Sequence, residues 1–188
     1  ALLVDTIFSS DGIYTEPRGF LNEAVDLVHN AGGVFIADEV QPGFARMGET
    51  FWGFDFHGVT PDIVTMGKPM GNGFPMAAVA TKSEYLDRFC ADVGYFNTFG
   101  GNPVAAAAGQ AVLDTIKQEN LQANALKMGL YLKTQLDSIA KHSAYVAEVR
   151  GQGLFMGIDI GKQDNKHLPD PLKTKQVING LKAAGVLI

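Results

Sequence analysis

The sequence predicts an α/β protein that begins with a doubly wound, mostly parallel sheet and ends with a smaller α+β region. Short apolar runs alternate with longer amphipathic segments through residues 1–120, which is typical of strands joined by helices. The runs are apolar on both faces, as in parallel strands that helices cover on both sides. From about residue 144 the pattern changes to a period of two with glycine punctuation, so a second region is expected there.

The elements follow from these patterns in chain order. Apolar runs predict parallel strands at 2–8, 33–40, 61–67 and 75–81. Helical periodicity predicts helices at 18–32, 83–90, 102–118 and 121–142, with Ser83 as a cap. In the last region we expect strand character at 146–160, a polar loop at 161–173 and a helix that runs into a strand by residue 188. The predicted division places part of a large domain and its bridging helix in 1–143, and the start of a small domain in 144–188.

Composition excludes several classes of function. The 188 residues carry a net charge of -5 with only four arginines, which argues against nucleic-acid binding. The chain has one cysteine, so an internal disulfide is excluded, and its four scattered histidines do not predict a metal site. No apolar run approaches the ~20 residues that a membrane span needs. The chain opens inside a strand pattern without Met or a signal peptide, so we expect a piece of a longer, cytoplasmic protein whose targeting segment, if any, is absent.

The first candidate for chemistry is the acidic pair that closes the second strand. Ligands of open parallel sheets collect outside the carboxyl ends of the strands, and Asp38 and Glu39 lie at such an end. Because side chains alternate along a strand, Ile36, Asp38 and Val40 share one face and Glu39 lies on the other.

The second candidate is Lys68, which stands between an apolar strand and a glycine-rich loop. The other lysines lie in polar segments, where a solvated ammonium is expected. Burial at Lys68 would lower the pKa of its ammonium and favour imine formation with an aldehyde. The alternative is a structural lysine that pairs with Glu39 or Asp38.

Three sequence blocks resemble the class III aminotransferases, which are pyridoxal-phosphate enzymes of fold type I. The blocks are IADEVQPGFARMG (36–48), PDIVTMGKPMGNGFPMAA (61–78) and NTFGGNPVAAAAG (97–109). The similarity covers essentially the whole chain and is greatest to the branch with alanine–glyoxylate aminotransferase-like proteins and ethanolamine-phosphate phospho-lyases.

The resemblance implies a role for each matching residue. Lys68 would form the Schiff base with pyridoxal phosphate and shuttle the substrate proton, and Asp38 would pair with the protonated pyridine nitrogen. Val40 would pack against the ring, and Gln41 would lie near the ring hydroxyl. Thr98 would donate its hydroxyl to the cofactor phosphate of a neighbouring subunit, which implies a homodimer with shared active sites; its alternative is a cap or turn residue.

Two departures limit the match. Asp5 stands where many members carry a glutamate that tunes substrate recognition, and no role is assigned to it. Neither Arg46 nor Arg150 can be assigned to a substrate carboxylate, although arginine is its natural partner.

We therefore expect transamination between an amine or amino acid and a keto acid. The first alternative is a phospho-lyase that acts on a phosphorylated amino alcohol. The second is a non-catalytic scaffold or an incompetent fragment.

Overall fold

The computed structural model describes residues 1–188 and divides the strands between two sheets. The first sheet has the order β1 (Leu2–Asp5), β2 (Phe35–Asp38), β3 (Ile63–Met66) and β4 (Ala78–Thr81). The helices that accompany it are α1 (Asn22–Asn30), α2 (Gly53–His57), α3 (Ser83–Asp92), α4 (Pro103–Gln118) and α5 (Leu121–His142). The second sheet is the hairpin of β5 (Val146–Gln152) and β6 (Phe155–Ile160), and α6 (Pro171–Ala183) follows it. The α/β class and the mostly parallel sheet are confirmed.

The fourth strand runs against the predicted direction. β1, β2 and β3 are parallel, whereas β4 pairs antiparallel with β3, so the prediction of a parallel strand at 75–81 is wrong. Residues 67–77 connect the two strands and contain only a 3₁₀ turn at Lys68–Met70. A parallel return needs a crossover of a dozen or more residues, usually with a helix, and this connection is too short to form one.

The core of the first sheet lies on the face that β2 shares with α1. Phe35 and Ala37 are fully buried there with Val25 of α1 and Val59. Burial of each large apolar side chain contributes about 1.5–3 kcal/mol. Because this face is filled by odd-numbered residues of β2, the even-numbered ones are left for the other face.

Two helix starts illustrate how side chains set the element bounds. The Asn102 side chain caps α4 by accepting a hydrogen bond from the Ala105 amide at 2.9 Å, and Pro103 follows it, a favourable pair for a helix start. Ser83 is not the cap of α3: Lys82 occupies that position, and Ser83 is the first helical residue. The helix thus begins one residue earlier than a cap at Ser83 would place it, and the Lys82 side chain forms an ion pair with Asp62 at 2.8 Å.

The second sheet and its helix follow the predicted pattern except at the C-terminal end. The period-two segment forms the β5–β6 hairpin, and α5 packs against β5. The strand expected at the end of the chain is absent, because Gly185 (φ +85°) and the bond from the Val186 amide to the Leu181 carbonyl close α6, in the manner of a glycine-terminated helix. None of the helices combines the length and hydrophobicity needed to span a membrane.

The hairpin contacts the first region through its turn. Phe155 packs against the buried side chains of Ile7, Met47 and Phe56, and the Leu154 amide donates to the Arg46 carbonyl at 3.0 Å. The division into domains at residue 143 remains a prediction.

Candidate functional site

The acidic pair at the end of β2 is divided between the two faces of the sheet. Phe35, Ala37 and Glu39 have no exposed surface, whereas Ile36, Asp38 and Val40 are half-buried. The alternation predicted from the sequence is therefore present, and Asp38 and Val40 lie on the more open face.

One oxygen of the Asp38 carboxylate is fixed by the backbone and by a neighbouring strand. Asp38 Oδ1 accepts hydrogen bonds from the Val40 amide at 3.0 Å and from the Thr65 hydroxyl at 3.3 Å. Thr65 is the register partner of Asp38 in β3. The other oxygen, Oδ2, accepts no hydrogen bond from the protein, so the carboxylate is oriented and one oxygen remains free for a donor.

Glu39 occupies a different environment, which the sequence pattern did not reveal. Its carboxylate accepts hydrogen bonds from the Thr6 hydroxyl (3.2 Å) and from the Gly53 and Phe54 amides (2.7 and 2.9 Å). Burial raises the pKa of Glu39 to about 7, against the opposing effect of these donors. Glu39 thus ties β1 and the start of α2 to β2, on the face opposite Asp38.

Lys68 follows β3 directly, at the carboxyl end beside β2. Its backbone has φ +35°, a conformation that non-glycine residues adopt at a cost and that is concentrated at functional sites. Its ammonium makes no hydrogen bond or ion pair, although Asp38 keeps one carboxylate oxygen free, and the Glu39 carboxylate is bound to other groups. The alternative of a charge-balancing lysine is therefore wrong for this structure.

The expected burial of Lys68 is also wrong, because its side chain is exposed. The adjoining glycine loop is irregular and open, with Gly73 at φ +102° and the loop residues around it exposed.

Val40 and the residue before Lys68 come together across the site. A methyl group placed on Gly67 would lie 3.7 Å from a Val40 methyl and 3.8 Å from Ala77. Gly67 is buried, so the chain entering Lys68 passes directly beside the Val40 side chain. The structure thus brings the ends of β2 and β3 to one place.

Gln41 and Thr98 are placed differently. Gln41 is half-buried just beyond β2, and its side chain makes no hydrogen bond. Thr98 is exposed in the loop between α3 and α4, and the Asn97 side chain, not the Thr98 hydroxyl, binds the turn amides of Phe99 and Gly100. Thr98 is thus a residue of the turn, as one of its alternatives predicted, but its hydroxyl caps none of the amides.

The two unassigned arginines differ in their partners. Arg150 forms two hydrogen bonds with Asp159 (2.6 and 2.8 Å), one with Glu148 (3.1 Å) and one with the Gly12 carbonyl (2.8 Å), so its guanidinium is occupied. Arg46 lies over the Phe155 ring at 5.1 Å without a carboxylate partner, and burial lowers its pKa.

Together these features define a class of protein: an α/β fold in which an oriented carboxylate and an unpaired, strained lysine follow adjacent parallel strands. The family model for aminotransferase class III matches residues 1–188, and the chain belongs to this family. Pyridoxal phosphate is the cofactor of these enzymes.

Individual relatives refine the comparison. The chain is 46% identical over 179 residues to human mitochondrial alanine–glyoxylate aminotransferase 2, covering 95% of this chain and 35% of that protein. The structure of an Arthrobacter phospholyase in complex with phosphoethanolamine superposes with a TM-score of 0.94 at 47% identity, covering 99% of this chain and 44% of that one. The taurine:2-oxoglutarate aminotransferase of Bifidobacterium kashiwanohense, in complex with PLP and glutamate, gives a TM-score of 0.89 at 26% identity, covering 98% and 43%. The chain thus spans well under half the length of these relatives.

Proposed function

We propose that these residues form the lysine- and carboxylate-bearing part of an active site that carries out transamination with pyridoxal phosphate. The substrates are an amine or amino acid and a keto acid. The observation that carries the proposal is the position of two residues at the neighbouring ends of β3 and β2. Lys68 has no hydrogen-bond partner, and Asp38 is oriented by two hydrogen bonds.

The residues present fit the cofactor. Asp38 Oδ2 is free to accept a hydrogen bond from a protonated ring nitrogen, while Oδ1 is held by Val40 and Thr65. Val40 presents an apolar surface beside Gly67, suited to one side of an aromatic ring. Lys68 forms no hydrogen bond or ion pair with a carboxylate, so its amine is available to bind a carbonyl carbon.

Each residue then has a defined task. When bound, pyridoxal phosphate supplies a cationic ring that accepts the electron pair left on a substrate carbon after proton removal. Asp38 keeps the ring nitrogen protonated, and Val40 excludes water from that side. Lys68 Nζ would hold the cofactor covalently and, as the free amine, would take up the proton of the substrate carbon. Gln41 is assigned to the ring hydroxyl.

The exposure of Lys68 supports the view that further protein completes the site. The chain corresponds to 35–44% of the length of the relatives described above, and a lysine needs a drier environment to be neutral near pH 7. We propose that protein outside these residues covers Lys68 and supplies the remaining cofactor contacts.

Elimination of phosphate is the second candidate function, favoured by the similarity to the Arthrobacter phospholyase. The full-length protein, loaded with pyridoxal phosphate, is incubated with alanine and glyoxylate and, separately, with phosphoethanolamine. Glycine with pyruvate indicates transamination, whereas inorganic phosphate with an aldehyde indicates elimination. Neither product, from these or other amines, would support the non-catalytic scaffold instead.

We further propose a homodimer in which Thr98 reaches the cofactor phosphate of the neighbouring subunit. Support comes from the loop that carries Thr98, where Tyr95, Phe96 and Phe99 are 69%, 86% and 80% exposed, a cluster typical of interaction surfaces. The test mixes Lys68→Ala subunits with Thr98→Val subunits, each of which is defective alone. A hybrid dimer regains one intact site if Thr98 acts across the interface, and stays inactive if it acts within its own subunit.

A further inference from the structure

The loop that follows β1, residues 8–14, has an unusually strained backbone. Phe8 and Ile13 have φ values of +48° and +64°, although neither is a glycine and Ile13 is β-branched. Such conformations persist only where the surroundings enforce them. We call this segment the β1 loop.

Asp5 holds the β1 loop from the sheet side. Its carboxylate accepts hydrogen bonds from the Ile7 amide at 3.1 Å, the Ser9 amide at 3.0 Å and the Ser9 hydroxyl. Asp5 is the register partner of Asp38 in the neighbouring strand, so the β1 loop starts at the same edge of the sheet as the candidate site. This edge is where ligands of open α/β sheets bind.

Arg150 holds the β1 loop from the other side, across 138 residues of sequence. Its Nε donates to the Gly12 carbonyl at 2.8 Å, and its guanidinium lies 4.5 Å from the centre of the Tyr14 ring. Asp159 fixes the guanidinium through two hydrogen bonds, and the Arg150 side chain is only 12% exposed. An oriented, bidentate arginine is suited to this task in a way that lysine is not.

The packing around Gly12 leaves little room for the loop to move. A methyl group on Gly157 of β6 would lie 2.9 Å from the Gly12 carbonyl, and one on Gly12 would lie 3.0 Å from the Arg150 guanidinium. The hairpin therefore approaches the backbone of the β1 loop directly, with Arg150 as the link.

We propose that Arg150, with Asp5, is a positioning residue that fixes the β1 loop at the edge of the active site, where the loop contacts the substrate. Arg150 acts through the loop and does not bind the substrate carboxylate, because its donors are bound to Asp159, Glu148 and the Gly12 carbonyl. The proposal rests on the proposed function for the identity of the site, while the holding of the loop is independent of it.

The test compares Arg150→Lys and Asp159→Asn with a matched surface control, Lys175→Met, which removes an exposed charge from α6. Amide hydrogen exchange is followed at Asp11, Ile13 and Tyr14, whose amides bond to Phe8 and Ile7 carbonyls at 2.7–3.0 Å. We expect faster exchange at these amides in both variants, a KM raised about tenfold or more, and kcat and cofactor retention within about threefold of the parent. Lys175→Met should match the parent in all respects.

The outcomes separate the two claims. Unchanged exchange in Arg150→Lys would overturn the holding role, and faster exchange with an unchanged KM would overturn the substrate contact. A drop in kcat and cofactor retention without a rise in KM would assign Arg150 to general folding instead. If the parent protein retains no pyridoxal phosphate, the proposed function fails, and the exchange data still decide whether Arg150 holds the loop.

Discussion

At the scale of single residues, adjacent positions of β2 have opposite tasks. Asp38 faces the open side with one oxygen free, whereas Glu39 is buried and binds two backbone amides and a hydroxyl. The alternation could be predicted from the sequence, because period two is a property of any strand. The environment of Glu39 could not, since its partners Thr6 and Gly53 come from distant segments.

Thr6 also links Glu39 to a buried histidine. The His57 ring accepts a hydrogen bond from the Gly19 amide at 3.1 Å and donates to the Thr6 carbonyl at 2.8 Å, which fixes its neutral form. Burial lowers the pKa of His57 and raises that of Glu39 to about 7. The two groups therefore affect stability with opposite dependence on pH.

We predict opposite changes in the pH profile of unfolding for two variants of the full-length protein. Glu39 contributes most to the free energy of unfolding below its ordinary pKa near 4.5, and this contribution is lost as the pH rises through about 7. His57 contributes to the free energy of unfolding above its ordinary pKa of about 6.5, and this contribution is lost as the pH falls below that value. Urea unfolding at pH 5 to 8 should show that the difference in free energy of unfolding between the parent and Glu39→Gln shrinks toward pH 8. The corresponding difference between the parent and His57→Gln should shrink toward pH 5. If the free energy of unfolding changes with pH in the same way in all three proteins, Glu39 and His57 are not the source of the pH dependence.

At the scale of elements, helices were the most predictable and strand direction the least. The predicted helix at 121–142 has the observed bounds of α5, because a long apolar stripe and local hydrogen bonds define it. The direction of β4 depends on the length of a connection, and the short α2 depends on capping by Glu39. These are tertiary effects that a local pattern does not contain.

The junction of the hairpin turn with the loop after β2 depends on a glycine. Gly153 has φ +58°, and a methyl group there would overlap the carbonyl oxygens of Arg46 and Met47. Gly153→Ala should therefore destabilise the protein by more than about 1 kcal/mol, measured by thermal unfolding.

Gly180 offers the matched control for that substitution. It lies in α6, and a methyl group there would meet nothing within 4 Å, so Gly180→Ala should stabilise the protein by about 0.5–1 kcal/mol. Equal effects of the two substitutions would show that the junction is not tightly packed.

At the scale of the whole molecule, we propose that the chain supplies one side of the active site. Three sequence blocks were enough to predict the family resemblance and the α/β class. They also placed Lys68 and Asp38 at strand ends. The exposure of Lys68 could not be predicted, because the sequence around it is apolar and glycine-rich and the missing cover is not local. Likewise, the exposed loop at Thr98 would contact the cofactor only in the proposed homodimer.

We predict that the 188 residues alone bind pyridoxal phosphate weakly. The dissociation constant, measured by cofactor fluorescence, should exceed that of the full-length protein at least tenfold, a difference of about 1.4 kcal/mol. Within the isolated chain the proposed contacts are limited to the exposed Lys68, the free Asp38 oxygen, Val40 and Gln41. Tight stoichiometric binding by these residues would show that they form a complete site.

The most direct test of the central claim is borohydride reduction of the full-length protein with added pyridoxal phosphate, followed by peptide mapping. A stable pyridoxyl label should appear on Lys68, persist in the exposed-lysine control Lys117→Ala, and be lost in Lys68→Ala. Asp38→Asn should keep the label while turnover falls about 100-fold or more, as expected when a fixed electrostatic partner is removed. A label on a different lysine, or none at saturating cofactor, would contradict the assignment of Lys68.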